Sequence, residues 1–345
     1  MIMNITKAKV YLIPAAVCLL GIIALLYYYF FTGFSTCEKT EYLYIDESDT
    51  PETVFQKLEP YASKHGMTAL RTLLRHSNYA QHMRTGRYVL EPTDGVLTVF
   101  RRLKNGQQSP VMLTVPESRT TSLLAGRLAQ KLMLDSATIA QALADNDFCS
   151  QWGEGYDTCT IAALFVPNTY EVYWNLSLKS LMERMVKEHD NFWNNDRRQK
   201  AQALGLSANE VCTLASIVDE ETANNSEKPM IAGMYLNRLK ENMPLQADPT
   251  VKYALKDFAL RRILHKHLTA DSPYNTYKNT GLPPGPIKIA SIKGIDAVLN
   301  AVKHNYLYMC AKEDFSGTHN FAATYREHLQ NAARYAKALN ERGIK

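Results

Sequence analysis

Residues 207–223 read SANEVCTLASIVDEETA, a helix ending in three consecutive acids. Ser207 and Glu210 have capping-box spacing, which predicts a helix that starts at Ala208. Val211, Leu214, Ala215 and Val218 recur at helical spacing and define one buried stripe. At about 100° per residue, Glu220 points away from that stripe and Asp219 lies on its flank. Glu221 falls back beside Leu214 and Ile217, so it alone is aimed at the apolar side. A carboxyl held against apolar neighbours prefers to be neutral, which raises its pKa and suits it to donate a proton near neutral pH. The alternative is a solvated acidic run closing an ordinary core helix. Acids there oppose the negative end of the helix dipole at ~0.3–1 kcal/mol each, so three of them want a reason.

Working outward, 345 residues can hold two domains. The net charge of +5 is spread along the chain without basic clustering, which excludes nucleic acid as a partner. Residues 10–31, VYLIPAAVCLLGIIALLYYYFF, carry no charge and are long enough to cross a bilayer. The run outlasts a usual signal-peptide core and lacks an A-x-A-like cleavage site, so it reads as an uncleaved anchor. Lys7 and Lys9 precede it, and Glu38, Glu41, Asp46, Glu47, Asp49 and Glu52 follow. The positive-inside rule then puts a tail, residues 1–9, in the cytoplasm and the rest on the outer face. Tyr27, Tyr28 and Tyr29 fit an interfacial aromatic belt. No cysteine pair has CxxC spacing, so no metal is expected. Cys149 and Cys159 bracket a short loop with Gly153 and Gly155 and are candidate disulfide partners in an exported domain.

After the span, residues 41–45 alternate as a strand, and Thr50-Pro51-Glu52 reads as N-cap, N1 proline and early acid. A second helix follows Gly66 through Leu70, Leu73 and Leu74, and GRYVL at 86–90 returns as a strand. This order of strand, helix, helix, strand resembles a LysM-like module, a small fold associated with N-acetylglucosamine glycans. Residues 96–104 form a further helix stopped by Asn105-Gly106, and 111–115 a strand leading into a second domain. Residues 121–143 show helical core spacing. In LFVPNTYEVYW at 164–174, Phe165 and Val172 read as core, while Tyr170, Tyr173 and Trp174 suit either a buried edge strand or a sugar-stacking cleft wall.

Beyond the acidic helix, Ser226 can cap a helix through Ile231, Met234, Tyr235 and Leu239, with Asn237 and Arg238 on a solvated face. In LQADPTV at 245–251, Pro249 biases Asp248 toward an extended conformation, for an Asx turn or for substrate contact. Arg261, Arg262, His265, Lys266 and His267 form a basic run read as solvated. GLPPGP at 281–286 predicts a stiff surface loop able to carry a cleft rim. YLYMC at 306–310 reads as a buried strand, GTHNF follows at 317–321, and 324–340 form a closing helix. His319 is either a structural residue or a functional one.

Together ASIVDEET, NRLKENMPLQADPTV, SPYNTYKNTGLPPGPI and GTHNF, in this order behind a membrane span, closely resemble the signature blocks of the YceG-like endolytic murein transglycosylases, also called the membrane-bound lytic transglycosylase G family. The resemblance covers about residues 111–339. It implies that the essential acid is the glutamate before the block's threonine, here Glu221 before Thr222. Asp219 stands where the family has a longer acid and Glu220 where a lysine is expected; neither is given a role. The implied reaction cuts the β-1,4 bond between N-acetylmuramic acid and N-acetylglucosamine inside a nascent peptidoglycan strand, leaving a 1,6-anhydro end and terminating elongation. Glu221 serves as acid and then base, and no cofactor is needed. Gln246, Asp248, Tyr274, Asn275, Tyr277, His319 and Asn320 are the implied cleft residues, and peptidoglycan synthases the implied partners.

The expected fold is α+β: a single N-terminal transmembrane helix at 10–31, a small LysM-like module at 40–106, and a larger mixed α+β catalytic domain at 111–345. Two rival functions remain, a lysozyme-like hydrolase and a membrane-tethered glycan-binding scaffold without catalysis.

Overall fold

The computed structural model describes residues 3–260 and 262–343. Arg261 of the basic run and the first residues of the expected tail lie outside that range. The chain forms two compact units, one reaching residue 112 with short returns at 131–133 and 171–176, the other holding the remainder.

The first unit begins with α1 (Met3–Phe31), whose segment Leu12–Phe31 has a mean hydropathy of 2.1 and no buried share. That helix is long and apolar enough to cross a membrane. Its last turn brings Tyr29 and Phe30 against the unit's core, which Phe34 enters completely. Then follow β1 (Glu41–Ile45), α2 (Pro51–Leu58), α3 (Lys64–His76), β2 (Gly86–Leu90) and α4 (Val96–Asn105). β1 and β2 pair antiparallel, Glu41 opposite Leu90 and Ile45 opposite Gly86. Thr50 caps α2 with Pro51 in the first turn, and Gly106 ends α4 at φ 65. The second helix does not wait for Gly66, because Ser63 caps it at Lys64. Gly66 lies inside it, where a Cβ would come within 3.0 Å of the Phe34 backbone. The glycine therefore serves close packing rather than a helix start.

β3 (Val111–Thr114) pairs with β4 (Thr169–Val172). Residues 121–143 are two helices, α5 (Thr121–Ala129) and α6 (Ser136–Leu143), because Asp135 caps a new start by accepting the Thr138 N–H at 2.8 Å. Next come α7 (Asn146–Ser150), α8 (Leu178–Phe192), α9 (Asn195–Ala203), α10 (Ala208–Glu221), α11 (Lys228–Lys240), α12 (Asp248–Leu255), α13 (His265–Leu268), α14 (Ile292–Leu299), β5 (Tyr308–Ala311), β6 (His319–Ala322) and α15 (Tyr325–Glu341). β5 and β6 are antiparallel, with Ala311 opposite His319. β5 is only half-buried, not the buried strand its composition suggested.

The second unit is built around α10. Ser207 and Glu210 form the capping box, but the helix buries every residue from Val211 to Val218, not a single stripe. α11 and α14 pack on it, and Ile217, Val218, Ile231 and Val298 share its core. Each fully buried Leu, Ile or Val there contributes about 1.5–3 kcal/mol. Polar positions within α10 are satisfied locally: Thr213 Oγ1 donates to the Asn209 carbonyl, and Ser216 Oγ to that of Thr213. The Ser216 hydroxyl also accepts the Ile287 N–H at 3.0 Å. That bond draws the proline-rich loop inward, and Pro283, Gly285 and Pro286 are buried rather than on the surface. A Cβ on Gly285 would collide with the Cys159 carbonyl oxygen.

Other expectations are corrected as well. Cys149 and Cys159 are free thiols; Cys149 is buried with its Sγ on the Ala142 and Leu143 carbonyls. Tyr170 is core, its hydroxyl donating to the Val166 carbonyl at 2.8 Å, which removes it as a sugar platform. Ser226 does not cap α11; it turns back to Asn224 Oδ1, leaving Glu227 at the cap position. Asp248 is the first residue of α12, and the extended residue is Ala247. The Thr250 N–H and hydroxyl both bond the Ala247 carbonyl, which starts the helix one residue before the proline.

Candidate active site

Glu221 is the last residue of α10, and Thr222 then leaves the helix in an extended conformation. It opens into a cavity of about 320 Å³ within the second unit. At the middle of α11, Tyr235 is buried and its hydroxyl donates to Glu221 Oε1 at 2.8 Å. Burial raises the Glu221 pKa to about 7, and the nearby Asp248 carboxylate adds to the rise. The Tyr235 hydrogen bond, His319 and Lys252 act in the opposite sense. The acid is therefore part protonated at neutral pH, and one carboxyl oxygen remains for a ligand.

The cavity wall is polar. Asp248, at the start of α12, accepts the Tyr277 hydroxyl at 2.6 Å, and both residues face the space. Gln246 sits at φ 53, a left-handed backbone rare for a residue with a Cβ, and is held by its N–H on the Thr276 carbonyl. Strain of that kind costs on the order of 1 kcal/mol and marks a residue fixed by its surroundings. Arg238, read from sequence as solvated, is 6% exposed and provides that fixation. Its guanidinium donates to the Leu307, Pro244 and Leu245 carbonyls and to Gln246 Oε1 at 3.2 Å. His319 on β6 reaches the cavity with Nδ1 3.0 Å from Glu227 Oε2, while its backbone N–H donates to Glu227 Oε1.

Of the eight residues named from sequence, Glu221, Gln246, Asp248, Tyr277 and His319 line this cavity. Tyr274, Asn275 and Asn320 do not. The Tyr274 ring packs on Tyr253 with centroids 4.7 Å apart. Asn275 is fully buried, and its amide closes a loop through the Leu268 and Ala270 carbonyls. The Asn320 amide goes to Glu313 Oε2 at 2.6 Å. Sequence reasoning missed Tyr235, Arg238, Glu227 and the cavity-lining His328. Tyr235 stands at core spacing beside Ile231 and Met234, so nothing local distinguishes it from packing.

Asp248 and Tyr235 pull the Glu221 titration in opposite directions. Asp248→Asn should lower its pKa and Tyr235→Phe should raise it, read by carbon NMR of labelled glutamate across pH 4–9.

A carboxylic acid with a raised pKa in a polar cavity, at the end of the central helix of a mixed α and β unit, is the arrangement an acid–base enzyme site requires. The YceG-like family model matches residues 43–334. An endolytic murein transglycosylase of Bacillus subtilis (strain 168) is 31% identical over 280 residues, 76% of each chain. One from Streptococcus pneumoniae serotype 2 is 27% identical over 303 residues, 80% of this chain; the match spans only 54% of that longer protein. The crystal structure of a yceG-like protein from Listeria monocytogenes superposes with a TM-score of 0.55 at 26% identity, covering 85% of this chain and 99% of its own. The chain belongs to the YceG-like family.

Proposed function

We propose that the protein is an endolytic peptidoglycan lytic transglycosylase that cuts the β-1,4 bond between N-acetylmuramic acid and N-acetylglucosamine. The protein is an enzyme, a lyase, and the observation that carries the reading is Glu221: half-buried, its carboxyl pushed up to about 7 by desolvation, and bonded by the Tyr235 hydroxyl at 2.8 Å. The protonated carboxyl gives its proton to the glycosidic oxygen as the C1–O bond breaks. The resulting carboxylate then takes the proton of the muramic C6 hydroxyl, whose oxygen bonds to C1 and closes the 1,6-anhydro ring. No water is consumed, and one carboxyl serves twice. Tyr235 donates to the carboxylate between the two steps. Gln246, Asp248, Tyr277 and His319 are assigned to the glycan, their side chains fixed by Arg238, each other and Glu227.

The domain reading goes with it. The strand, helix, helix, strand arrangement of the first unit is proposed as a LysM-like module holding the same glycan. α1 is proposed as the anchor, with Lys7 and Lys9 on the cytoplasmic side, which keeps the site where new strands emerge from membrane synthases.

A second reading draws on Asp248. Two carboxyls line one cavity, as a hydrolase using water would need. Full-length protein in detergent, given intact sacculi, decides by mass spectrometry of the products. Ends one water lighter than reducing ends are expected; reducing ends throughout would make the protein a hydrolase, and no cleavage would leave a binding scaffold.

A further inference from the structure

A second cavity, also about 320 Å³, lies in the second unit and is not part of the machinery just described. Arg119, Lys256 and Lys288 line it, and no acid does among the described residues. Two of these cations are already engaged. Arg119 meets Glu220 at 3.0 Å, and Lys288 meets Glu117 at 3.1 Å and Glu220 at 3.6 Å. Lys256 has no ion pair among the described residues. It is held at φ 54 as the cap of α12, its N–H on the Lys252 and Tyr253 carbonyls. Lys256 is exposed at the mouth of the lining. Ser118, Thr121, Ser122 and Thr158 line the same cavity, none with a side-chain hydrogen bond among the described residues.

An ammonium without an ion pair and several unspent hydroxyl donors lining one cavity suit an oxyanion small enough to be held from more than one side, as a carboxylate is. The rings of Tyr253 and Phe258 add apolar wall, as an aliphatic chain bearing that carboxylate would need. α12 links this cavity to the first. Asp248 at its start lines the Glu221 cavity, and Tyr253 and Lys256 at its end line the second. Eight residues at ~1.5 Å each make that separation roughly 12 Å. A substrate lying along α12 therefore reaches both. The glycan strand carries carboxylates on its peptide stems, beside the sugars rather than within them.

We propose that the second cavity binds a stem-peptide carboxylate of the strand being cut, with Lys256 as its charge partner; this rests on the proposed function. The site makes the enzyme prefer peptide-bearing glycan to bare glycan.

The test uses full-length protein in detergent on two substrates, strands with their stems and strands stripped of them by an amidase, with Glu221→Gln as the silent control. Wild type should favour the stem-bearing strands about fivefold in KM at equal kcat, the worth of one partly exposed charged contact. Lys256→Asn removes the charge while tolerating the left-handed backbone, and should bring that ratio to one. Thr158→Val should reduce it. Equal KM values for wild type on both substrates, or a preference that survives Lys256→Asn, would overturn the subsite while leaving the lytic reaction standing. Cleavage of neither substrate by wild type would sink the proposed function and the subsite with it.

Discussion

Replacing Glu221 with Gln should lower the turnover of peptidoglycan by about 10³-fold or more, since general acid and general base assistance are each worth ~10²–10⁴ and one side chain supplies both. The variant should also be the more stable protein at high pH. The folded carboxyl titrates near 7 against an ordinary 4.5, so between those values the folded state keeps a proton that the unfolded chain has released. Stability is thus full below about 4.5, falls as pH rises through the window, and stays reduced above about 7. The ionised acid costs on the order of 3 kcal/mol there, which Gln does not incur while its amide oxygen still accepts the Tyr235 hydroxyl. Thermal melts of the two proteins should coincide at pH 4 and separate at pH 8 with Glu221→Gln higher. A variant that is inactive and no more stable at pH 8 would mean that the carboxyl was never held against its preference for water.

The same acid shows how far the sequence could be read. Its helix start was legible because a capping box is local: Ser207 and Glu210 are three residues apart and need no other part of the chain. Thr50 with Pro51, and Asn105 with Gly106, set helix ends for the same reason. Helical phase brought Glu221 to attention, yet phase misjudged its neighbour. Asp219, placed on the flank, has a side chain only 2% exposed, because Ser291 and Lys228 come to it from elsewhere in the chain. Arg238 was misread likewise. Polar residues look solvated until the carbonyls they satisfy are known, and Arg238 bonds one at Leu307, 69 residues away. Of the eight site residues named from sequence, five line one cavity, while the side chains of Tyr274, Asn275 and Asn320 pack a ring or bond within loops.

The buried pair of Asp219 and Lys228 makes the second large effect. Lys228 Nζ lies 2.6 Å from Asp219 Oδ1, with side-chain exposures of 7% and 2%. Asp219 also accepts the Ser291 N–H at 2.7 Å and its hydroxyl at 2.8 Å, at the start of α14. Gly294 leaves room for it, since a Cβ there would fall 2.5 Å from Oδ1. One carboxylate thus fastens the end of α10, the start of α11 and the start of α14, two residues before Glu221 and with Lys228 adjoining the Glu227 that holds His319. Lys228→Met keeps the length of the side chain and strands the acid without its cation, which should cost about 3–5 kcal/mol. The melting temperature should fall by roughly 10 °C, followed through the fluorescence of Trp193, buried in the same core. Lys200→Met serves as the control, because Lys200 and Asp196 are 2.9 Å apart but 40% and 69% exposed, where a pair is worth about 1 kcal/mol or less. If the two variants melted together, the Asp219 cluster would not be what holds the three helices at the Glu221 end of α10. A selective loss would instead assign Asp219 the duty of fixing the helix end from which Glu221 projects.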